Sequence, residues 1–137
     1  MSLVLDSSVA LTWCFEDEHT PSTTALLDRI VEQGAVAPSL WPLEVLNGLA
    51  MAQRRKRLKA AQRAQLAGFL AALPIRLDQE TAAQAWTVTA HLAERFKLTL
   101  YDAAYLELAQ RLNLPLASID RELCAAGTAL GITLLGS

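Results

Sequence analysis

The 137 residues, 53% apolar and 19% charged, suffice for one domain, 1–137, around one sizeable core. So few charges leave apolar surface that a partner is expected to cover. A net charge of −2 excludes a global basic field, so any contact with nucleic acid must be local.

SLVL (2–5) is a short apolar run that meets Asp6, and it reads as a buried strand. SSVALTWCF follows as a helix capped by Asp6, Ser7 or Ser8. TPSTTALLDRIVEQG forms a second helix, opened by Pro21 or Ser22 and stopped by Gly34. AVA (35–37) is a second strand. Pro42 then sits in the first turn of a long helix over LEVLNGLAMAQRRKR, and another helix covers Ala60 to Leu73. IRL (75–77) is a third strand, and Asp78 to Phe96 is helical. LTLYDAAYLELAQRL (98–112) is a further helix and LAS (116–118) a strand. Asp120 to Ala126 is a short helix closed by Gly127, and ITLL (132–135) is the last strand.

Short apolar strands alternating with amphipathic helices predict an α/β fold with a central parallel sheet and helices on both faces. In such sheets ligands bind beyond the carboxyl ends of the strands. Asp6 and Asp120 follow strands and therefore project at that edge. Glu44 and Asp102 begin helices, and helices that follow strands begin at the same edge. Asp102 stands out. At about 100° per residue, Glu107, Gln110 and Arg111 mark the wet face of its helix, while Asp102 falls in the apolar stripe.

Each acid has an ordinary explanation. Asp6 and Asp120 can be helix caps, Glu44 a solvated glutamate on the face of Gly48 and Arg55, and Asp102 an acid favoured at a helix start. Those explanations account poorly for four acids from distant segments meeting at one edge. Clustered carboxylates repel unless protons or cations intervene. Oxygen-only ligation without Cys or His suits Mg²⁺ or Mn²⁺, with up to two ions balancing four acids. Such a site suits hydrolysis of a phosphodiester.

VLDSSVALTW, LWPLEVLNGL, LTLYDAAYLELA and LASIDREL together resemble the four motif blocks of the PIN domain, and more narrowly those of VapC-type toxins of bacterial toxin–antitoxin pairs. The resemblance runs over nearly the whole chain. It implies a three-layer α/β/α sandwich and a metal-dependent endoribonuclease. The family's acidic tetrad falls on Asp6, Glu44, Asp102 and Asp120, as both metal ligands and catalytic residues. Its small hydroxyl positions fall on Ser7 and Ser118, which would orient metal-bound water, and Asn47 matches a further family position one turn beyond Glu44. The resemblance also implies one or two Mg²⁺ or Mn²⁺ ions, an RNA substrate, a cognate antitoxin and a homodimer.

Arg54, Arg55, Lys56, Arg57, Lys59 and Arg63 are six of the twelve Lys and Arg residues. They read either as a solvated helix end or as a phosphate-contacting patch, Arg54 to Arg57 above all. Leu46, Leu49, Leu58, Leu66 and Leu70 on the same helical pair are mostly core. In the resembling toxins this arm also helps form the antitoxin groove.

Cys14 and Cys124 lie far apart and read as free thiols of a reducing compartment. No signal peptide or membrane span is expected, which points to the cytoplasm and no membrane partner. His19 and His91 have no metal-site spacing, and Trp13, Trp41 and Trp86 read as core anchors. Two rivals remain, a non-catalytic PIN-like interaction module and a divalent-metal aspartate phosphohydrolase. The latter wants a second acid beside the nucleophilic aspartate, whereas Asp6 is followed by SSVALTW.

Overall fold

Strong stop signals cut the chain into short elements. In a computed structural model, which describes residues 2–136, these are β1 (Val4–Leu5), α1 (Ser7–Thr12), α2 (Pro21–Gln33), β2 (Ala35–Pro38), α3 (Trp41–Arg54) and α4 (Ala60–Ala72). β3 (Ile75–Asp78), α5 (Thr81–Gln84), α6 (Ala90–Phe96), α7 (Leu100–Leu112), β4 (Leu116–Ala117), α8 (Arg121–Ala129) and β5 (Leu134–Leu135) complete it. The Thr20 side chain caps α2 by accepting from the Thr23 amide, with Pro21 in the first turn. The Thr99 hydroxyl does the same for α7, accepting from the Asp102 amide at 3.1 Å. Asn113, at φ 54°, ends α7 in the left-handed region that Asn tolerates.

The strands form one all-parallel sheet in the order β3-β2-β1-β4-β5. Val4 of β1 stands opposite Val36 on one side and Leu116 on the other. Right-handed crossovers then set α1–α4 on one face and α5–α8 on the other. The result is a three-layer α/β/α sandwich. The direction of winding reverses between β1 and β4, so their carboxyl ends flank the crevice where doubly wound sheets hold ligands.

The core is built from β1, β2, β4 and α7. Leu3, Val4, Leu5, Val36 and Leu116 are at most 1% exposed. Burying side chains of this size is worth about 1.5–3 kcal/mol each. α7 is buried on every side from Ala103 to Ala109, because it packs against β1, β2 and β4 and is covered by α6 and α8.

Four expectations are corrected. Glu107, expected on the wet face of α7, is 3% exposed, since α7 is a central helix with no solvated flank at its middle. Its charge is met by Arg111 at 2.7 Å, which also bonds Asp78 at 2.6 Å and Glu80 at 3.2 Å. Trp86, expected as a core anchor, is 86% exposed. It lies in a π-helical turn, Ala85–Thr89, where one extra residue per turn shifts the helical face. The helix over RRKR stops at Arg54, and Lys56 at φ 62° turns the chain away. Gly127 does not close the last helix. It lies inside α8, where a Cβ would come within 2.8 Å of Leu134 Cδ2, so its bareness lets α8 pack on β5.

Candidate active site

β1 delivers Asp6 to the crevice. Its backbone is in the extended conformation usual for a helix cap, yet its side chain does not cap α1. Instead the hydroxyls of Ser8 and Ser118 donate to the same oxygen, Oδ2, at 2.6 and 2.8 Å. Both hydroxyls also accept an amide hydrogen, Ser8 from Ile119 at 3.2 Å and Ser118 from Asp120 at 3.1 Å. Two serines thus tie the turn after β4 to the aspartate after β1. Ser118 is the hydroxyl expected near the last acid. Ser8 was missed, and only its place beside Ser7 in the DSS run hinted at it.

α3 delivers Glu44 in its first turn. Gly48, one turn on, lets α1 come close, since a Cβ there would meet Leu11 Cδ1 at 2.7 Å. That contact brings Ser7 of α1 within hydrogen-bond reach of Glu44. The second partner of Glu44 comes from the other face of the sheet. The Tyr105 hydroxyl of α7 donates to Glu44 Oε1 at 2.5 Å, with the ring fully buried. Tyr105 was also missed. The signal was a tyrosine three residues after Asp102 on the inward stripe, where a buried hydroxyl needs an acceptor.

α7 supplies Asp102 in its first turn, and Asp120 caps α8 by accepting from the Leu123 amide at 2.9 Å. For Asp120 the cap reading and the site position coincide. The four acids are linked electrostatically. Asp6 feels Glu44 and Asp120, Glu44 feels Asp102, and Asp102 feels Asp6, Asp120 and Glu122. Glu122 is a fifth acid at this edge, unforeseen from sequence.

Burial is the first cause of the shifts that follow, and neighbouring charge adds to it. Asp6 is 3% exposed, and its carboxyl is pushed above the usual range despite the two serine bonds that oppose the rise. Glu44 is raised as well, against the lowering effect of Tyr105. Asp102 is raised from 3.8 to about 6 by burial and then by Asp6 and Asp120. Negative charge is therefore held here at a cost that a cation would offset. The donors are all hard oxygens, which fits Mg²⁺ or Mn²⁺ rather than a thiophilic metal. Among the described residues, no three acidic, histidine or cysteine side chains already close on one point. The fit is one of donor chemistry and charge.

Asn47 is exposed, one turn beyond Glu44. The basic run stands apart from the acids, with Arg54 about 15 Å from Glu44 along the helix axis. Arg57 is engaged elsewhere. It stacks on Phe15 at 4.2 Å and pairs with Glu18 at 3.0 Å.

Fold and site together describe a parallel α/β/α sandwich with a carboxylate cluster at its topological switch point. A sequence profile of the PIN domain matches residues 3–128, and the chain belongs to the PIN domain family. No curated protein matches it significantly in sequence. Among solved structures, it is similar in fold to PAE2754 from Pyrobaculum aerophilum, at 21% identity and TM-score 0.70, over 98% of this chain and 83% of that one. FitAcB from Neisseria gonorrhoeae matches at 16% identity and TM-score 0.66, over 96% of this chain and 95% of that one. VapBC2 from Rickettsia felis, solved bound to a DNA fragment from their promoter, matches at 12% identity and TM-score 0.66, over 98% and 97%.

Proposed function

We propose that this chain is a metal-dependent endoribonuclease, the toxin half of a toxin–antitoxin pair, and that Asp6, Glu44, Asp102 and Asp120 are its catalytic acids and metal ligands. The observation that carries the reading is the electrostatic coupling among these four acids, which follow β1 or stand at the starts of α3, α7 and α8, at the switch point of a PIN fold. Mg²⁺ or Mn²⁺ held there, as one or two ions, would activate water and stabilise charge on a phosphodiester in displacement.

The chain's own groups set the geometry. Ser8 and Ser118 fix Asp6 through Oδ2, which leaves Oδ1 for a cation. Tyr105 and Ser7 hold Glu44. Thr99 anchors the turn that carries Asp102. Ser7 and Ser118 bond carboxylates, where the resemblance has them orienting metal-bound water. Arg54, Arg55 and Lys56 can reach RNA phosphates only well away from the cut bond, and Arg57 is the least available of the four.

The antitoxin reading has its own support. An apolar groove of about 270 Å³ lies between α3, α4 and the edge strand β3, lined by residues including Trp41, Val45, Leu46, Leu70 and Leu77. The buried Trp41 Nε1 has no acceptor among the described residues. A partner segment bringing apolar side chains and one acceptor would satisfy both. A homodimer and a cytoplasmic workplace belong to the same proposal. Among the described residues, no helix is long and apolar enough to cross a membrane.

The test is cleavage of a structured RNA pool by purified protein in Mn²⁺ or Mg²⁺, beside Asp102→Asn prepared identically. Metal-dependent cutting that the variant loses is the expected result. Equal cutting by both proteins would reveal a contaminant and sink the assignment.

A further inference from the structure

Beside the acids the surface turns apolar. Tyr101, next to Asp102, is 64% exposed, and Leu43, next to Glu44, is 73% exposed. With Leu40, Glu44 and Asn47 they line an open cleft of about 520 Å³. Exposed aromatic and aliphatic side chains at a helix start have no folding reason to stay uncovered, because burying each would be worth about as much as a core residue.

The lining decides what the cleft can take. It contains no Lys or Arg, and its one charged group, the Glu44 carboxylate, is among the acids assigned to the metal, so no side chain of the cleft binds a phosphate. It offers a flat ring, an aliphatic wall and one neutral amide. Those features suit the uncharged, planar part of a nucleotide. Ring stacking serves any base, and an amide can bond a base edge.

We infer that this cleft seats the unpaired base of the nucleotide flanking the phosphate that is cut, with Tyr101 stacking on the base, Leu43 backing it and Asn47 facing its edge. The inference rests on the nuclease reading and deepens it. A base held in a duplex cannot offer its face to Tyr101, so the cleft selects single-stranded or looped RNA at that position. Tyr101 is a binding residue, which holds the base equally in ground and transition states and leaves the placing of the phosphate to the acids.

The experiment is titration of a short single-stranded RNA carrying one 2-aminopurine, and of its duplex with a complementary strand, in Ca²⁺ to keep the RNA intact. Wild type is compared with Tyr101→Ala, Tyr101→Phe and Tyr101→Trp. Tyr101 is exposed, so all are expected to fold, and unchanged melting checks this. Wild type, Phe and Trp should quench the 2-aminopurine on binding. Tyr101→Ala should lose the quench and weaken single-strand binding by about 5- to 150-fold, with duplex binding unchanged. In Mn²⁺ the same variant should raise KM by a similar factor and leave kcat nearly intact. Undiminished quenching and affinity in Tyr101→Ala would overturn the inference, as would a loss equal for strand and duplex. Sedimentation showing that Tyr101→Ala or Leu43→Ala splits a wild-type dimer, with RNA binding unaltered, would also overturn it and make the wall an interface between copies. Binding and quenching are read without cleavage. Failure of the nuclease reading would therefore appear separately, as absent cutting by wild type in Mn²⁺.

Discussion

Asp102 occupies the third position of α7, where an ionised acid gains about 0.3–1 kcal/mol from the helix N-terminus. Its carboxyl is nevertheless raised from 3.8 to about 6, because burial and then Asp6 and Asp120 oppose ionisation. The folded protein thus holds a proton on Asp102 over a window where the unfolded chain has released it. Its contribution to stability is complete below the unfolded value and is lost as pH rises through the folded one. Metal-free protein should lose stability between about pH 4 and pH 7, followed by urea midpoint at each pH. Asp102→Asn should flatten that slope and raise the midpoint at neutral pH. A lowered midpoint would mean that the dipole outweighs the repulsion, leaving Asp102 a plain helix-start acid. The side chain's inward position was legible from helical spacing. The hydroxyls that hold the neighbouring acids were not, because Tyr105 bonds Glu44 from a distant segment and Ser8 shares the turn after Asp6 with the equivalent hydroxyl of Ser7.

At the scale of elements, the chain announced some of its boundaries through openers and stops, such as Pro21 and Gly34 at the ends of α2, while the capping roles of Thr20 and Thr99 emerge only in the structure. What escaped was set by packing rather than by local preference. α7 looked amphipathic because it ends in charged residues, yet the fold buries Glu107 and brings Arg111 over it to Asp78 at the end of β3. Burial works to raise the Asp78 carboxyl, and the bonds from Arg111 overcome it, holding it below its usual range. One guanidinium therefore serves two buried acids from different elements. Arg111→Met keeps the aliphatic bulk but strands both carboxylates. It should destabilise the protein by about 3–5 kcal/mol in urea unfolding at neutral pH. A change below about 1 kcal/mol would show that the pairs behave like exposed ones. The π turn at Trp86 and the packing role of Gly127 were illegible for the same reason: each depends on a neighbouring element that local periodicity does not contain.

The whole molecule joins these scales through topology. The alternation of strands and helices, with acids after strands and at helix starts, was enough to foresee a carboxylate edge. It was not enough to foresee that β1 and β4 lie side by side, which is what sets Asp6 against Ser118 and Asp120. Because the acids belong to β1, α3, α7 and α8, a cation bound by them would bridge both helical layers and the sheet between. Only the folded chain assembles such a site, so binding free energy adds directly to stability. At about 100 times its dissociation constant, an ion adds about 2.7 kcal/mol, or roughly 10 °C in melting temperature for a domain of this size. Calorimetry in Mn²⁺ against chelator should show that rise in wild type. Asp102→Asn should melt higher than wild type in chelator and gain much less from Mn²⁺, so the two curves converge or cross as metal is added. Parallel curves, displaced by the same amount at every metal concentration, would place the ion away from Asp102 and break the link between the acid cluster and the metal.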